Sequence, residues 1–267
     1  MLLIIIIFDN LIVLGYSYSI GRIQWRKDPS EKLLDRSIGW KLKIVDLTVS
    51  LSDRAAVSHE KRVFVKKVRE GESGIWMEDI HMTSGIGTHM DAPSHFYQEG
   101  RGIDEIPLSQ CMAPACVIHL EEKVGDNSDF VVMEEDLIEW EERYGIIPES
   151  SMVLIHTGWD RFAEDNRSCS KDKKGCHFPG ISSKAAALLV DRQVRGVGID
   201  TLEIDPGNKK ELKAHQILLQ EELIVVEGLT NLSKLPPKGS FVFLIPIKIA
   251  EGAEAPIRAF ALVEEVY

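Results

Sequence analysis

The chain has 267 residues, of which 44% are hydrophobic and 27% charged, and this balance is typical of a soluble globular protein. A chain of this length can bury a hydrophobic core in one domain without disulfides or metal ions as staples. The formal net charge of −11 and the lack of a long Lys/Arg run in the sequence argue against a nucleic-acid partner, because a phosphate-binding surface needs a basic patch.

Residues 1–20 form an apolar N-terminal segment that starts with MLLIIIIFDNLIVLGY. The apolar run is short for a membrane span, Asp9 and Asn10 interrupt it, and it lacks the charged start of a signal peptide apart from the amino terminus. It is therefore either a signal peptide or anchor, or an ordinary extension, and we expect membrane contact only if it is retained. Residues 40–267 are expected to form the main domain.

The four cysteines bear on the compartment. Cys169 and Cys176 flank the polar stretch SKDKKG and could close as a disulfide in an oxidising environment. The pattern Asn166-Arg167-Ser168 is an acceptor for N-glycosylation. Both features favour export, yet the secretory pathway and the cytoplasm stay open as locations. No pair has CxxC spacing, so a cysteine zinc site is not indicated.

Hydrophobic periodicity predicts strands that alternate with helices. The predicted strands cover residues 43–51, 62–68, 74–82, 115–120, 152–158, 194–202, 223–229, 241–249 and 257–265. The predicted helices cover residues 133–145, the stretch after the Ser182–Ser183 cap, and residues 209–220. This order predicts an α/β domain with one main sheet system that is partly parallel, and it makes the polar stretch 163–177 a surface insertion.

The stretch GIGTHMDAPSH, residues 85–95, concentrates groups that bind metals. Residues two apart in a strand point to the same side and lie roughly 6.6 Å apart, so His89 and Asp91 can meet at one ion. A turn after Pro93 can bring His95 over the same point. Imidazole with carboxylate suits Zn, Mn or Fe, although a single His on a strand is more often a hydrogen-bonded core residue.

Two distant residues are candidates to complete such a site. His215 lies on a predicted helix, and Glu227 ends the apolar strand LIVVE, where an unpartnered carboxylate would be costly. A helix-surface histidine and a solvated carboxylate are the alternatives. Other hydrolytic or phosphate-binding motifs are missing from the sequence, since it has no G-x-S-x-G elbow and no Lys-Ser/Thr after its glycines.

With these residues in place, the sequence resembles the bacterial-type kynurenine formamidase family, also called the cyclase family. The family motif is H-x-G-T-H-x-D-x-P-x-H, and GIGTHMDAPSH matches every defined position except the first, where Gly85 stands. The resemblance runs from about residue 43 to the C terminus. It includes DLT at 46–48, HFYQEGRGIDEIPL at 95–108, TGW at 157–159, FPGIS at 178–182, GVGIDTLEID at 196–205, EGLTNL at 227–232 and PIRAFAL at 256–262.

The resemblance implies a fold and a set of site residues. The fold would be a compact single α/β domain with a barrel-like mixed β core and flanking helices, with residues 40–267 as the hydrolase domain and a homodimer or homotetramer as the assembly. The residues that align with the family's metal ligands are His89, Asp91, His215 and Glu227, and His95 aligns with the histidine of proton transfer. The cofactor would be a divalent metal, Zn or Mn. We expect one ion per chain, because Gly85 has no side chain that could bind a second ion.

The implied activity is that of a metal-dependent amidohydrolase acting on C–N bonds other than peptide bonds. Its substrate would be a small aromatic N-formyl or amide compound like N-formylkynurenine, an arylformamidase reaction of tryptophan catabolism, with metal-activated water and His95 as general acid/base. Two alternatives stay open: a single-metal hydrolase of an isatin-like lactam or an ester, and a catalytically retired metal-binding scaffold. Phe96 and Trp76 are the candidate substrate contacts.

Other polar residues receive secondary predictions. Asp46, Asp200 and Asp205 are expected at strand ends, where they either orient ligand histidines or serve the scaffold. Arg258 is expected to pair with an acidic residue, in the core or across a subunit interface. We expect no catalytic part for the remaining histidines His59, His119, His156 and His177.

Overall fold

A computed structural model describes residues 42–52, 64–70, 74–163, 166–172 and 175–264. The predicted N-terminal segment 1–20 and His59 lie outside the described residues. All described residues belong to one compact unit, Leu34–Tyr267. Within the described ranges, the helices are too short or too polar to cross a membrane.

The described residues form strands and helices close to the predicted ones. The strands are β1 (Leu42–Asp46), β2 (Phe64–Glu70), β3 (Trp76–Met82), β4 (His89–Asp91), β5 (Met112–His119), β6 (Val131–Val132), β7 (Met152–His156), β8 (Ser170–Asp172), β9 (Gly175–His177), β10 (Gly180–Ile181), β11 (Gly196–Ile199), β12 (Ile224–Glu227), β13 (Ser240–Pro246) and β14 (Glu254–Glu264). The helices are α1 (Glu121–Val124), α2 (Glu134–Tyr144), α3 (Ser183–Asp191) and α4 (Lys213–Gln220).

Seven strands close into a barrel. The ring runs β14-β13-β5-β7-β11-β12-β4, and β4 pairs back onto β14, while β1 extends β14 on the outside. The four strands β5, β7, β11 and β12 are parallel, and the other pairs of the ring are antiparallel. Parallel neighbours need crossover connections, which α2, α3 and α4 provide. The predicted α/β fold with a barrel-like mixed β core and flanking helices is confirmed.

The ring strands β4, β7, β11 and β12 are buried on both faces. Along β7, Met152 and Leu154 join the cluster that fills the barrel, whereas Val153 and Ile155 join the cluster under the helices. Along β4, Met90 belongs to the interior cluster. Because side chains alternate along a strand, the neighbours of Met90 on β4 point to the outer face of the barrel, where helices cover it.

Three segments differ from the predictions or add to them. The predicted strand 43–51 ends as a strand at Asp46. The motif stretch is not one strand, since Gly85 lies in the turn between β3 and β4. Residues 163–177 contain the hairpin β8–β9, and Cys169 is joined to Cys176 with their Cα atoms 5.1 Å apart, in agreement with the spacing-based prediction.

Candidate metal centre

The register of β4 between its two neighbours brings acidic and imidazole side chains onto one face. His89 pairs with Glu227 of β12, and Asp91 pairs with Glu254 of β14. Directly opposed residues of paired strands point to the same side of the sheet, as do residues two apart in one strand. His89, Asp91, Glu227 and Glu254 therefore share the outer face of the barrel.

His215 reaches the same face from helix α4. The carboxylate of Asp205 anchors the start of this helix, since it accepts hydrogen bonds from the backbone N–H groups of Ala214 at 2.8 Å and His215 at 3.0 Å. It also accepts from the ring Nδ1 of His215 at 2.7 Å. This second contact leaves Nε2 of His215 directed at the acidic cluster with a free lone pair.

The four sequence-predicted ligands form one cluster of close contacts, and Asp91, His215 and Glu227 lie within reach of one ion. Nε2 of His215 lies 3.3 Å from Asp91 Oδ2 and 3.1 Å from Glu227 Oε1, and Nε2 of His89 lies 3.2 Å from Glu227 Oε2. Ligand atoms around a tetrahedral ion at about 2.1 Å are themselves about 3.4 Å apart. The spacing in this cluster fits a metal ion, and all four side chains are buried.

The cluster favours a positive charge for electrostatic reasons. His89 Nδ1 lies 2.9 Å from the carbonyl of Gly87 and donates to it, so Nε2 of a neutral ring would direct a lone pair at carboxylate oxygens. Without a metal ion, a proton has to take that place. Burial alone would lower the pKa of His89, but its hydrogen bond with Glu227 and the charges of Asp91 and Glu227 raise this pKa to about 10.

The other members of the cluster show the same demand for positive charge. Burial opposes ionisation of His215, yet the charge of Glu227 and the hydrogen bonds with Asp205 and Asp91 raise the pKa of this imidazole well above its usual value. Burial would raise the pKa of Glu227, but the two histidines lower it to about 2. A divalent cation among these groups would replace the protons that now balance the carboxylates.

One buried oxygen in the described residues supports this fit independently. Oδ1 of Asp91 is inaccessible to solvent and has no hydrogen-bond partner. A buried carboxylate oxygen without a partner costs free energy, and it is expected where a metal ion is the missing partner. The donor set of imidazole nitrogens and carboxylate oxygens suits Zn or Mn.

His95 and Phe96 lie beside the cluster rather than within it. His95 ends a short 3-10 turn, Pro93–His95, that follows β4, and its side chain is exposed to solvent. Its ring centroid is 6.4 Å from that of His215. The ring of Phe96 stacks on His215 with centroids 5.1 Å apart and planes 18° apart, so it also holds this imidazole in place.

The other candidate residues lie elsewhere. Trp76, a candidate substrate contact, is 70% exposed on β3 and is not among the clustered side chains. Asp200 accepts hydrogen bonds from Thr157, Gly158 and Trp159 and so fixes the loop after β7.

Arg258 pairs with Asp46 at 2.6 Å, and both side chains are largely exposed, at 71% and 47%. The expected acidic partner of Arg258 is therefore present, but the pair lies on the surface of this chain rather than in its core. Asp46 serves the scaffold there, whereas Asp205 is the predicted acid that orients a histidine of the cluster.

Two groups of potential metal ligands were not predicted from the sequence. Glu254 lies with His89 and Asp91 in a group whose potential ligand atoms are all within 4.8 Å of one another. A second group joins His119, Glu121 and His156, with the two Nδ1 atoms 2.9 Å apart. The second group could have been predicted, because two of the predicted strands, now β5 and β7, each contain a histidine at the end, and these strands are adjacent and parallel.

Comparison with known proteins agrees with this geometry. Residues 45–206 match the family described as "Putative cyclase". An isatin hydrolase of Roseibium aggregatum is 32% identical over 187 residues, which are 66% of this chain and 71% of that protein. A kynurenine formamidase of Salinibacter ruber is 26% identical over 224 residues, 82% of this chain and 96% of that protein.

The fold is shared with a solved structure as well. The crystal structure of an isatin hydrolase bound to the product analogue thioisatinate matches with a TM-score of 0.79 at 26% identity, over 84% of this chain and 93% of that one. The chain belongs to the cyclase family of metal-dependent hydrolases, as the motif GIGTHMDAPSH predicted.

Proposed function

We propose that this cyclase-family hydrolase opens the ring of a small aromatic lactam of the isatin type. The observation that carries the proposal is the buried, cation-demanding cluster of His89, Asp91, His215 and Glu227 in a chain that resembles isatin hydrolases in both sequence and fold. Lactam opening was the alternative to N-formylkynurenine in the sequence-based prediction, and the comparisons favour it. Ester hydrolysis, the other half of that alternative, is a variant of the same chemistry.

Asp91, His215 and Glu227, with His89 beside them, would hold a divalent cation, Zn or Mn, on the outer face of the barrel. When bound, such a cation supplies Lewis acidity that activates water and polarises a carbonyl oxygen. Asp205 keeps His215 in the tautomer that presents Nε2, and the carbonyl of Gly87 does the same for His89. The chain thereby holds the ligands ready, so that little reorganisation is needed during the reaction.

His95 would move the proton of the reaction. Hydrolysis forms a bond from the water oxygen to the lactam carbonyl carbon and breaks the ring C–N bond, and the leaving nitrogen takes up a proton. His95 is exposed, stands beside the cluster, and can accept a proton from water and return it to that nitrogen. Phe96, next to it, offers an aromatic face to a flat substrate, although it also supports His215.

Hydrolysis of N-formylkynurenine is the second candidate activity. It is supported by the kynurenine formamidase of Salinibacter ruber, of which this chain covers 96%. Both substrates present a carbonyl bonded to an amide nitrogen that is attached to a benzene ring, so the same cluster could act on either. A retired scaffold is disfavoured because its predicted ligands would have no reason to remain assembled with matched tautomers.

A substrate panel tests the proposal. The purified protein, loaded separately with Zn²⁺ and Mn²⁺, is assayed with isatin, N-formylkynurenine and an aryl ester at equal concentrations. We expect kcat/KM to be highest for isatin, and His215→Ala to abolish turnover. Higher kcat/KM for N-formylkynurenine would assign the formamidase activity instead. No turnover of any of the three substrates by metal-loaded protein would contradict the hydrolase assignment.

The expected assembly, a homodimer or homotetramer, stays a prediction. Sedimentation velocity of the full chain measures it, and a sedimentation coefficient of a 30.0 kDa monomer would contradict it.

A further inference from the structure

We infer that Glu254 takes the place of the side chain that Gly85 lacks and binds a second divalent cation together with His89 and Asp91. The inference rests on the proposed function only in that it assumes a first cation at Asp91, His215 and Glu227. It assigns a ligand to the C-terminal strand β14, more than 150 residues after the motif.

The space in front of Gly85 is occupied by the carboxylate of Glu254. A Cβ atom placed on Gly85 would lie 2.5 Å from Oε2 and 3.2 Å from Oε1 of Glu254. A side chain at position 85 would therefore displace the carboxylate of Glu254 from its present position. Gly85 therefore has a second effect besides the absence of a ligand at this position: it leaves space for a ligand from another strand.

The register of the strands keeps Glu254 in this position. Glu254 is directly opposite Asp91 in the antiparallel pair β4–β14, and the backbone N–H of Ala92 donates to the carbonyl of Ala253 at 2.9 Å. The hydroxyl of Ser84 donates to Oε1 of Glu254 at 2.6 Å and fixes the carboxylate from the side of the turn. Oε2 is the oxygen nearer to Gly85.

Asp91 divides its two oxygens between two groups of ligands. Oδ2 lies 3.3 Å from Nε2 of His215, in the group with Glu227. Oδ1 is buried without a hydrogen-bond partner and lies 3.8 Å from Nε2 of His89, in the group with Glu254. A carboxylate with one oxygen in each group has the geometry of a bridge between two metal ions, which in paired sites are about 3.5–4 Å apart.

Charge balance points the same way. Asp91, Glu227 and Glu254 place three carboxylates around two imidazoles, and Asp205 adds a fourth behind His215. One divalent cation leaves net negative charge in a largely buried cluster, which is unfavourable at short distance. A second cation at His89, Asp91 and Glu254 compensates this charge and supplies the missing partner of Asp91 Oδ1.

Metal stoichiometry tests the inference directly. Metal-free protein is titrated with Mn²⁺ alone or Zn²⁺ alone by calorimetry, and metal content is measured by mass spectrometry after dialysis. We expect two cations per chain in the wild type and one in Glu254→Gln. Gly85→Ala, whose new methyl group displaces the flexible carboxylate of Glu254, is expected to retain one as well. Glu264→Gln, at the exposed far end of the same strand, should retain two.

A rescue variant separates the ligand role of Glu254 from a structural one. The double variant Gly85→His with Glu254→Ala frees the space and offers an imidazole from position 85, so we expect it to bind two cations again. Electron paramagnetic resonance of Mn²⁺-loaded protein gives a second readout: the wild type should show a spin-coupled pair, and Glu254→Gln the six-line spectrum of an isolated ion. Circular dichroism establishes that each variant is folded.

The outcomes distinguish this inference from the proposed function. One cation per chain in the wild type, unchanged in Glu254→Gln and lost in His215→Ala, would overturn the second site and leave the first in place. Two cations without turnover of isatin would support the second site and count against the proposed substrate. Failure of the double variant to bind a second cation would overturn the claim that Glu254 stands in for a residue at position 85.

Discussion

Asp205 accepts a hydrogen bond from Nδ1 of His215 at 2.7 Å while its carboxylate also accepts from the backbone N–H of the same residue at 3.0 Å. One carboxylate thus fixes both the start of helix α4 and the orientation of the imidazole that α4 contributes to the site. The position of a candidate metal ligand therefore depends on Asp205, a residue that lies behind the cluster and not within it.

The first prediction concerns this contact. In Asp205→Asn, the amide is a weaker acceptor and offers an N–H group where the ring N–H needs an oxygen, so His215 loses its preferred orientation. We expect metal affinity to fall by about 10–100-fold. Competition with a chromophoric chelator measures the change. Asp126→Asn, at a fully exposed carboxylate that pairs with Arg161, should leave the affinity unchanged. Equal affinity in both variants would contradict the orienting role.

The second prediction separates proton transfer from metal binding. His95→Ala removes an exposed imidazole that lies beside the cluster, so the metal content should remain that of the wild type while kcat falls by about 10²–10⁴-fold. Steady-state assays of lactam hydrolysis measure kcat, and metal analysis of the same protein measures the metal content. The matched control is His81→Ala on the exposed strand β3, which should keep the full rate. Full activity of His95→Ala would exclude this histidine as the general acid/base.

The third prediction uses pH and metal removal. In the metal-free protein the pKa of folded His89 is raised from 6.5 to about 10, so this group stabilises the fold fully below pH 6.5, and the contribution is lost as the pH rises through 10. We expect the melting temperature of metal-free protein to fall between pH 7 and pH 10. His89→Gln should flatten this dependence. A metal-free melting temperature that rises over this range would contradict the sign.

Metal binding should also release protons. At pH 8 the metal-free His89 retains a proton that an ordinary imidazole would have lost, and a cation must displace it. Titration of metal-free protein with Zn²⁺ in buffers of different ionisation enthalpy should therefore report at least one proton released per chain. Proton uptake on binding would be inconsistent with the charge balance of the cluster.

The fourth prediction concerns the cysteines. Burial raises the pKa of the Cys111 thiol to about 11 and also raises that of Cys116, so at pH 8 roughly one in a thousand Cys111 thiols is ionised. We expect native protein to resist iodoacetamide for hours. Unfolded protein should take up two labels without reductant and four after reduction, because Cys169 and Cys176 are bonded to each other. Labelling of Cys169 without reductant would contradict that bond.

Much of the architecture could be predicted from local patterns. The apolar runs at β5, β7 and β12 predicted strands there, and the two-residue period placed His89 and Asp91 on one side of a strand. These properties depend on the alternation of neighbouring residues and not on the rest of the fold. The disulfide between Cys169 and Cys176 could likewise be predicted, because only a short loop separates the two residues.

The solvent exposure of the candidate substrate contacts could not be predicted from such local patterns. An aromatic residue on a predicted strand is expected to line a pocket or to lie in the core. Trp76 is instead 70% exposed, because β2 and β3 form a separate two-stranded sheet. Arg258 and Asp46 also required the structure, since their pairing follows from the register of β1 against β14 across the length of the chain.

What the sequence alone determined, then, is the candidate ligand motif at His89 and Asp91, the α/β order of elements and the family. Only the tertiary structure decided what faces Gly85. The pairing of β4 with β14 joins residues more than 150 positions apart, and its register is set by the closure of the whole barrel and not by local preference. For this reason the position without a side chain could be read from the sequence, whereas the carboxylate of Glu254 that fills its space could not.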